Sequence, residues 1–140
     1  MYEKDGNGRE YRVIDKFIRA WSLSFELVLP WPPKELSPNA RLHWAAKSKV
    51  TKAYRRACWA LTKESGLVVD WEGKIHVWAD FYPPDKRHRD WDNIYASGKA
   101  AFDGLADGLG VNDKRFSLHP WVKDEIGGMI KIRLTPSPAK

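Results

Sequence analysis

Between Arg87 and Asn93 the chain reads Arg-His-Arg-Asp-Trp-Asp-Asn, which sets two carboxylates, Asp90 and Asp92, two positions apart beside three basic groups. In an extended backbone residues i and i+2 project to the same side, so the pair can converge on one hard cation. Lys99 follows seven positions after Asp92. Two helical turns return a side chain to within about 20° of its starting direction, so a helix beginning at Asp92 carries Lys99 on the same face. Asp103 comes one turn later, and Asp113, just past Gly108 and Gly110, is a further carboxylate that the chain could fold back toward Asp90 and Asp92. Three carboxylates near a lysine suit phosphodiester hydrolysis. Mg²⁺, or Mn²⁺ in its place, takes carboxylate oxygens while keeping waters, polarises a phosphoryl oxygen and supplies hydroxide for in-line attack. Lys99 would stabilise the charge of the transition state or protonate the leaving oxygen. An acidic site repels a polyanion, so cations must hold the phosphates nearby. The candidates are Lys86, Arg87 and Arg89 in the same loop, and Lys49, Lys52, Arg55 and Arg56 on a preceding helix.

The same residues have plainer uses. Asp92 or Asn93 can cap a helix, a contribution of roughly 0.5–2 kcal/mol, although a cap alone does not need Asp90. Lys99 and Asp103 can form an ordinary i,i+4 pair, worth about 0.2–0.5 kcal/mol. Asp113 can be a turn residue, and a basic helix face can simply be solvated. The four histidines, at 43, 76, 88 and 119, are scattered with no second ligand at metal spacing, and read as structural or surface residues. Ser97-Gly98 is not a nucleophile elbow, and the lone Cys58 reads as a small core or boundary residue, so nucleophilic triads have no support. Trp59 and Trp91 can stack on bases, with packing the commoner role among eight tryptophans.

The elements that must position these groups are legible from periodicity. The chain has 140 residues, 24 basic against 18 acidic, for a formal charge of +6, and 43% hydrophobic residues. One globular domain is expected, with a polyanionic partner favoured. One cysteine excludes a disulfide scaffold and a Cys-rich zinc site. No stretch approaches the roughly 18–20 apolar residues of a membrane span, so no membrane partner is expected and the reading is cytoplasmic. Residues 1–20 read as an N-terminal extension in which Tyr11, Val13, Ile14, Phe17 and Ile18 are spaced for a short amphipathic helix. From Trp21 a strand pattern places Leu23, Phe25, Leu27 and Leu29 on one side, ended by Pro30-Trp31-Pro32-Pro33. A long helix is predicted from Asn39 or Arg41 to about Glu64, with Val50, Ala53, Tyr54, Ala57 and Leu61 as its apolar stripe and the alanines allowing close approach. Ile75, Val77, Ala79 and Phe81 mark the clearest strand. A second helix is predicted from about Asp92 to Gly108 or Gly110 through Ile94, Gly98, Ala101, Phe102, Leu105 and Leu109. Phe116 to Leu134 reads as a closing hairpin about Gly127-Gly128. The order predicts an α+β domain over 21–140, a small mixed sheet packed by two main helices.

The whole string resembles the RusA family of Holliday junction resolvases, common on phage and prophage genomes. The match runs through Leu29-Pro30-Trp31-Pro32-Pro33 with Ser37-Pro38-Asn39, then Lys52-Ala53-Tyr54-Arg55, Pro83-Pro84 and the basic run, and Asp90-x-Asp92-Asn93. It continues through Lys99-Ala100-Ala101-Phe102-Asp103-Gly104-Leu105 to Gly110-Val111-Asn112-Asp113, where Asn112 stands in place of a second acid found in many members. The resemblance implies that Asp90, Asp92 and Asp113 bind metal and that Lys99 is the catalytic lysine. It also implies a Mg²⁺-dependent two-fold homodimer without organic cofactor that cuts paired strands of branched DNA, the four-way junction. A non-cleaving nucleic-acid-binding module, or a metal-dependent nuclease for flaps or RNA, would use the same basic surface.

Overall fold

In the computed structural model the described residues are 2–4, 10–12 and 27–138. The elements are β1 (Tyr2–Lys4), β2 (Glu10–Arg12), β3 (Leu27–Pro30), α1 (Trp44–Ser65), β4 (Ile75–Tyr82), α2 (Trp91–Leu109), β5 (Phe116–Val122) and β6 (Met129–Thr135). β1 and β2 pair antiparallel, with Glu3 opposite Tyr11. Tyr11 is therefore in a strand rather than in the expected helix, whose remaining positions, with Leu23 and Phe25, lie outside the described residues.

The main sheet has the order β3-β6-β4-β5. β6 runs antiparallel to both β3 and β4, and β5 is parallel to β4 across the α2 connection. The architecture is α+β, as expected: one mixed sheet and two helices. The expected closing hairpin is not formed, because β4 lies between β5 and β6. Ile130, Ile132 and Leu134 of β6 are all buried, which suits a central strand, whereas β5 carries Pro120, which lacks the N–H an interior strand must donate on both sides.

The alternating residues Ile75, Val77, Ala79 and Phe81 of β4 are essentially sealed from solvent. Together with Leu27 and Leu29 of β3 and the β6 residues they form one core with Tyr54 and Cys58 of α1 and with Ile94, Ala101, Phe102 and Leu105 of α2. The buried residues of α1 are Tyr54, Cys58 and Thr62, at i, i+4 and i+8, with Val50 and Leu61 half-buried beside them. Ala53 and Ala57 are exposed, so the predicted stripe was centred too far round the helix. The close approach comes instead from α2. A Cβ at Gly104 would lie 2.4 Å from the Arg55 carbonyl oxygen, and one at Gly108 would lie 2.5 Å from the Thr62 Cβ. Midway along α1, the Tyr54 hydroxyl donates to the Pro30 carbonyl over 2.6 Å, fastening α1 to the end of β3. No described helix is long and apolar enough to cross a membrane.

Candidate functional site

α2 starts where the basic loop ends. Asp90 is its N-cap and keeps an extended backbone, while Asp92 already lies in the first helical turn. The two carboxylates thus share a helix start and not an alternating strand, which replaces the expected i,i+2 geometry. Neither Asp92 nor Asn93 occupies the cap position. Asp90 does, yet its side chain accepts no capping hydrogen bond. Its carboxylate is 73% exposed and lies 3.5 Å from His88 Nε2. Asp92 is exposed as well.

Lys99 lies two turns along α2 from Asp92, on the predicted face. Its ammonium rests 3.3 Å from the Asp103 carboxylate one turn further on. Asp103 is also 4.0 Å from Arg55, whose guanidinium makes two hydrogen bonds to Asp107, of 2.6 and 2.9 Å. That pairing is the main cause that raises the Arg55 pKa, with smaller contributions from Asp103 and Asp113. Arg55 therefore ties α1 to α2 while its side chain stays about half exposed.

Asp113 is exposed in a short 3-10 turn, Asp113–Arg115, capped by the Asn112 side chain, which accepts from the Lys114 N–H at 2.9 Å. That gives Asn112 a local structural use. The expected return of Asp113 to Asp90 and Asp92 does not occur within one chain. α2 is an unbroken helix of 19 residues, about 28 Å at 1.5 Å per residue, and Asp113 lies beyond its far end. The strand register agrees: Phe116 pairs opposite Ile75 at the start of β4, whereas Asp90 follows the end of β4. Among the described residues no group of three His, Cys, Asp or Glu side chains is close enough to hold a metal ion.

The cations divide into two sets. Lys49, Lys52 and Arg56 are exposed along α1, with Arg56 5.7 Å from the centre of the Trp59 ring. Lys86 and Arg87 are exposed in the loop before α2. Arg89 is not open: it bonds the Asp85 carboxylate at 2.9 Å and the Asp85 and Arg87 carbonyls, and lies 5.9 Å from the Trp31 ring centre. Its hydrogen bond is the largest cause that holds the Asp85 carboxyl far below the usual carboxylate range. Arg89 thus shapes the loop. The loop walls one side of a groove of about 880 Å³, and the proline-rich segment after β3 walls the other. Asp90 lines this groove, as do Lys34, Asn39, Arg41 and His88. Lys34 and Arg41 were not among the sequence candidates, because each stands alone in a proline-rich loop and not in a run of charge. Away from the groove, His76 and His119 meet across β4 and β5, with Nδ1 and Nε2 2.9 Å apart, a pairing that only the parallel register brings about.

The α+β chain is distantly similar in sequence to crossover junction endodeoxyribonucleases. The chain is 28% identical over 119 residues to the crossover junction endodeoxyribonuclease RusA of Escherichia coli (strain K12), a match covering 80% of this chain and 94% of that enzyme. The enzyme of the same name from Enterobacteria phage 82 matches with the same identity and coverage. No protein-family profile matches. An uncharacterized protein of Xylella fastidiosa (strain Temecula1 / ATCC 700964) is 43% identical over 114 residues, which cover 78% of this chain and 74% of that one. This chain belongs to one family with the Xylella protein, and the similarity to RusA supports a nuclease at family level.

Proposed function

We propose that the protein is a structure-selective endodeoxyribonuclease that resolves four-way (Holliday) DNA junctions in recombination and repair, by Mg²⁺-dependent phosphodiester hydrolysis in a two-fold homodimer. The observation that carries this reading is Asp90. It stands at the N-cap of α2 and forgoes a backbone bond worth about 0.5–2 kcal/mol, leaving its carboxylate exposed on a groove edged with cations. The similarity to enzymes named crossover junction endodeoxyribonuclease supports the reaction class.

Two carboxylates at one helix start suit Mg²⁺, which is commonly held by one or two carboxylates with waters and substrate phosphates completing its shell. Mn²⁺ accepts the same oxygen donors. Asp90 and Asp92 would hold the ion, and when bound it would polarise the scissile phosphate and acidify a water. Asp113 joins this site from the second copy: the length of α2 excludes its own chain's Asp113, whereas a two-fold axis that sets two α2 helices side by side in opposite directions exchanges their ends. Lys99 turns from Asp103 to the scissile phosphate and stabilises the charge that develops there. Lys49, Lys52, Arg56, Lys86 and Arg87 anchor the flanking phosphates.

The test is cleavage of a synthetic four-way junction by the purified protein with Mg²⁺, compared with flap, linear duplex and RNA substrates. The expected result is preferred cutting of the junction, with Asp92→Asn binding it but failing to cut. Faster turnover on flaps or RNA would replace the junction assignment, and binding without any cleavage would make the protein a non-cleaving module.

A further inference from the structure

The groove beside Asp90 has a lining that phosphate anchoring alone does not explain. Lys34 and Arg41 line it with exposed side chains, and neither makes an ion pair among the described residues. The acid on the opposite wall, Asp85, is taken up by Arg89 and Arg87, at 2.9 and 3.2 Å. Glu35 and Asp90 are the other acids of the lining. Between these charges the lining has an apolar part, Trp31, Pro33, Pro84 and Leu42, with Ser37, Asn39 and Asn93 as neutral polar groups. Trp31 is held rigid, edge-on to Phe81 at 6.1 Å and beneath Arg89. Isolated cations above stiff apolar walls match the two halves of a nucleotide, its phosphate and its base. The volume, about 880 Å³, falls within the roughly 300–1,000 Å³ that encloses a small ligand. That volume suits one unstacked nucleotide and not a stack of base pairs.

We infer that this groove binds a single strand of DNA, taking an unstacked nucleotide with its phosphates on Lys34 and Arg41 and its base against the proline wall, so that the strand passes Asp90 as it leaves. Its placement next to the reacting phosphate rests on the nuclease reading, but its binding chemistry does not. At a branch point the exchanging bases are the ones least held by stacking, and unpairing them costs least there. A groove that takes single strands but not duplex would therefore favour branched DNA over linear DNA.

The experiment measures binding of a fluorescent oligothymidylate of about ten nucleotides, within the usual single-strand site sizes, to the full chain in EDTA across a salt series. Wild type should bind. The double variant Lys34→Ala/Arg41→Ala should lose about tenfold in affinity and about 1.4 in the log–log salt slope, from 0.7 per phosphate contact on a single strand. Ala40→Trp, which fills the groove, should also lose binding, while Lys63→Ala in the last turn of α1 should match wild type. Circular dichroism confirms that each variant is folded. An unchanged affinity and slope in the double variant, or full binding by folded Ala40→Trp, would overturn the inference. Junction cleavage measured in parallel keeps the two ideas apart. Groove-dependent oligonucleotide binding without cleavage removes the nuclease reading alone, and cleavage with groove-independent binding removes the groove alone.

Discussion

In the proposed dimer Asp113 meets Asp90 and Asp92 across the two chains, and mixing inactive variants tests this. One preparation carries Asp92→Asn and the other Asp113→Asn. α2 alone is about 28 Å long, with Asp90 and Asp92 at its start and Asp113 past its end, and the described residues bring no three such acids together in one chain. After mixing and re-equilibration about half of the dimers are mixed. In a mixed dimer one site combines both lesions, while the other combines the intact Asp90 and Asp92 of one copy with the intact Asp113 of the other. Each mixed dimer thus regains one site of two, and the mixture should recover about a quarter of wild-type sites. The assay is cutting of a labelled four-way junction on denaturing gels, with single nicks expected to outnumber paired cuts. A mixture as inactive as its components, although dimers exchange, would refute the shared site, because a site built within one chain is restored in no combination.

Three other outcomes follow from packing and charge. Gly104→Ala should cost about 1–3 kcal/mol or more by urea denaturation, since its Cβ would meet the Arg55 carbonyl at 2.4 Å; an unchanged midpoint would contradict the tight crossing of α1 and α2. Lys99→Ala removes an exposed pair with Asp103 worth at most about 0.5 kcal/mol, so stability should hold while the single-turnover cleavage rate falls; an unaltered rate would make Lys99 an ordinary surface lysine. Burial pushes the Cys58 thiol up to about 11 from an unfolded value of 9.0, so ionisation favours the unfolded chain as pH rises from 9 to 11. Wild-type stability should fall more steeply over that range than that of Cys58→Ala, and native Cys58 should resist thiol reagents; parallel pH profiles and rapid labelling would contradict its burial.

Much of the frame was legible because strong periodicity and end signals agreed. β4 follows its alternation residue by residue, and α2 begins one position before the expected start and ends between the two glycines. The face of α1 was misjudged because alanine favours a helix on any side and so reports little about burial. The buried Thr62 was missed because its hydroxyl is satisfied inside the helix, donating to the Cys58 carbonyl at 2.7 Å. Adjacency suggested a hairpin of β5 and β6, although Pro120 was a signal for an edge strand. Asp92 and Lys99 could be placed on one helix from spacing, with Asp90 in the extended backbone before it. The distance to Asp113 was implicit in the same prediction, since an uninterrupted helix of that length cannot bring its two ends together. The groove was not legible, because the two loops that wall it are about fifty positions apart in sequence and come together only in the folded chain.

The central claim is that Asp90 and Asp92 hold a divalent ion, and Mn²⁺ titration followed by electron paramagnetic resonance tests it most directly. Wild-type protein should take up Mn²⁺ in competition with Mg²⁺, and Asp90→Asn and Asp92→Asn should each abolish most of that uptake while remaining folded. Undiminished Mn²⁺ binding by both variants would contradict the account.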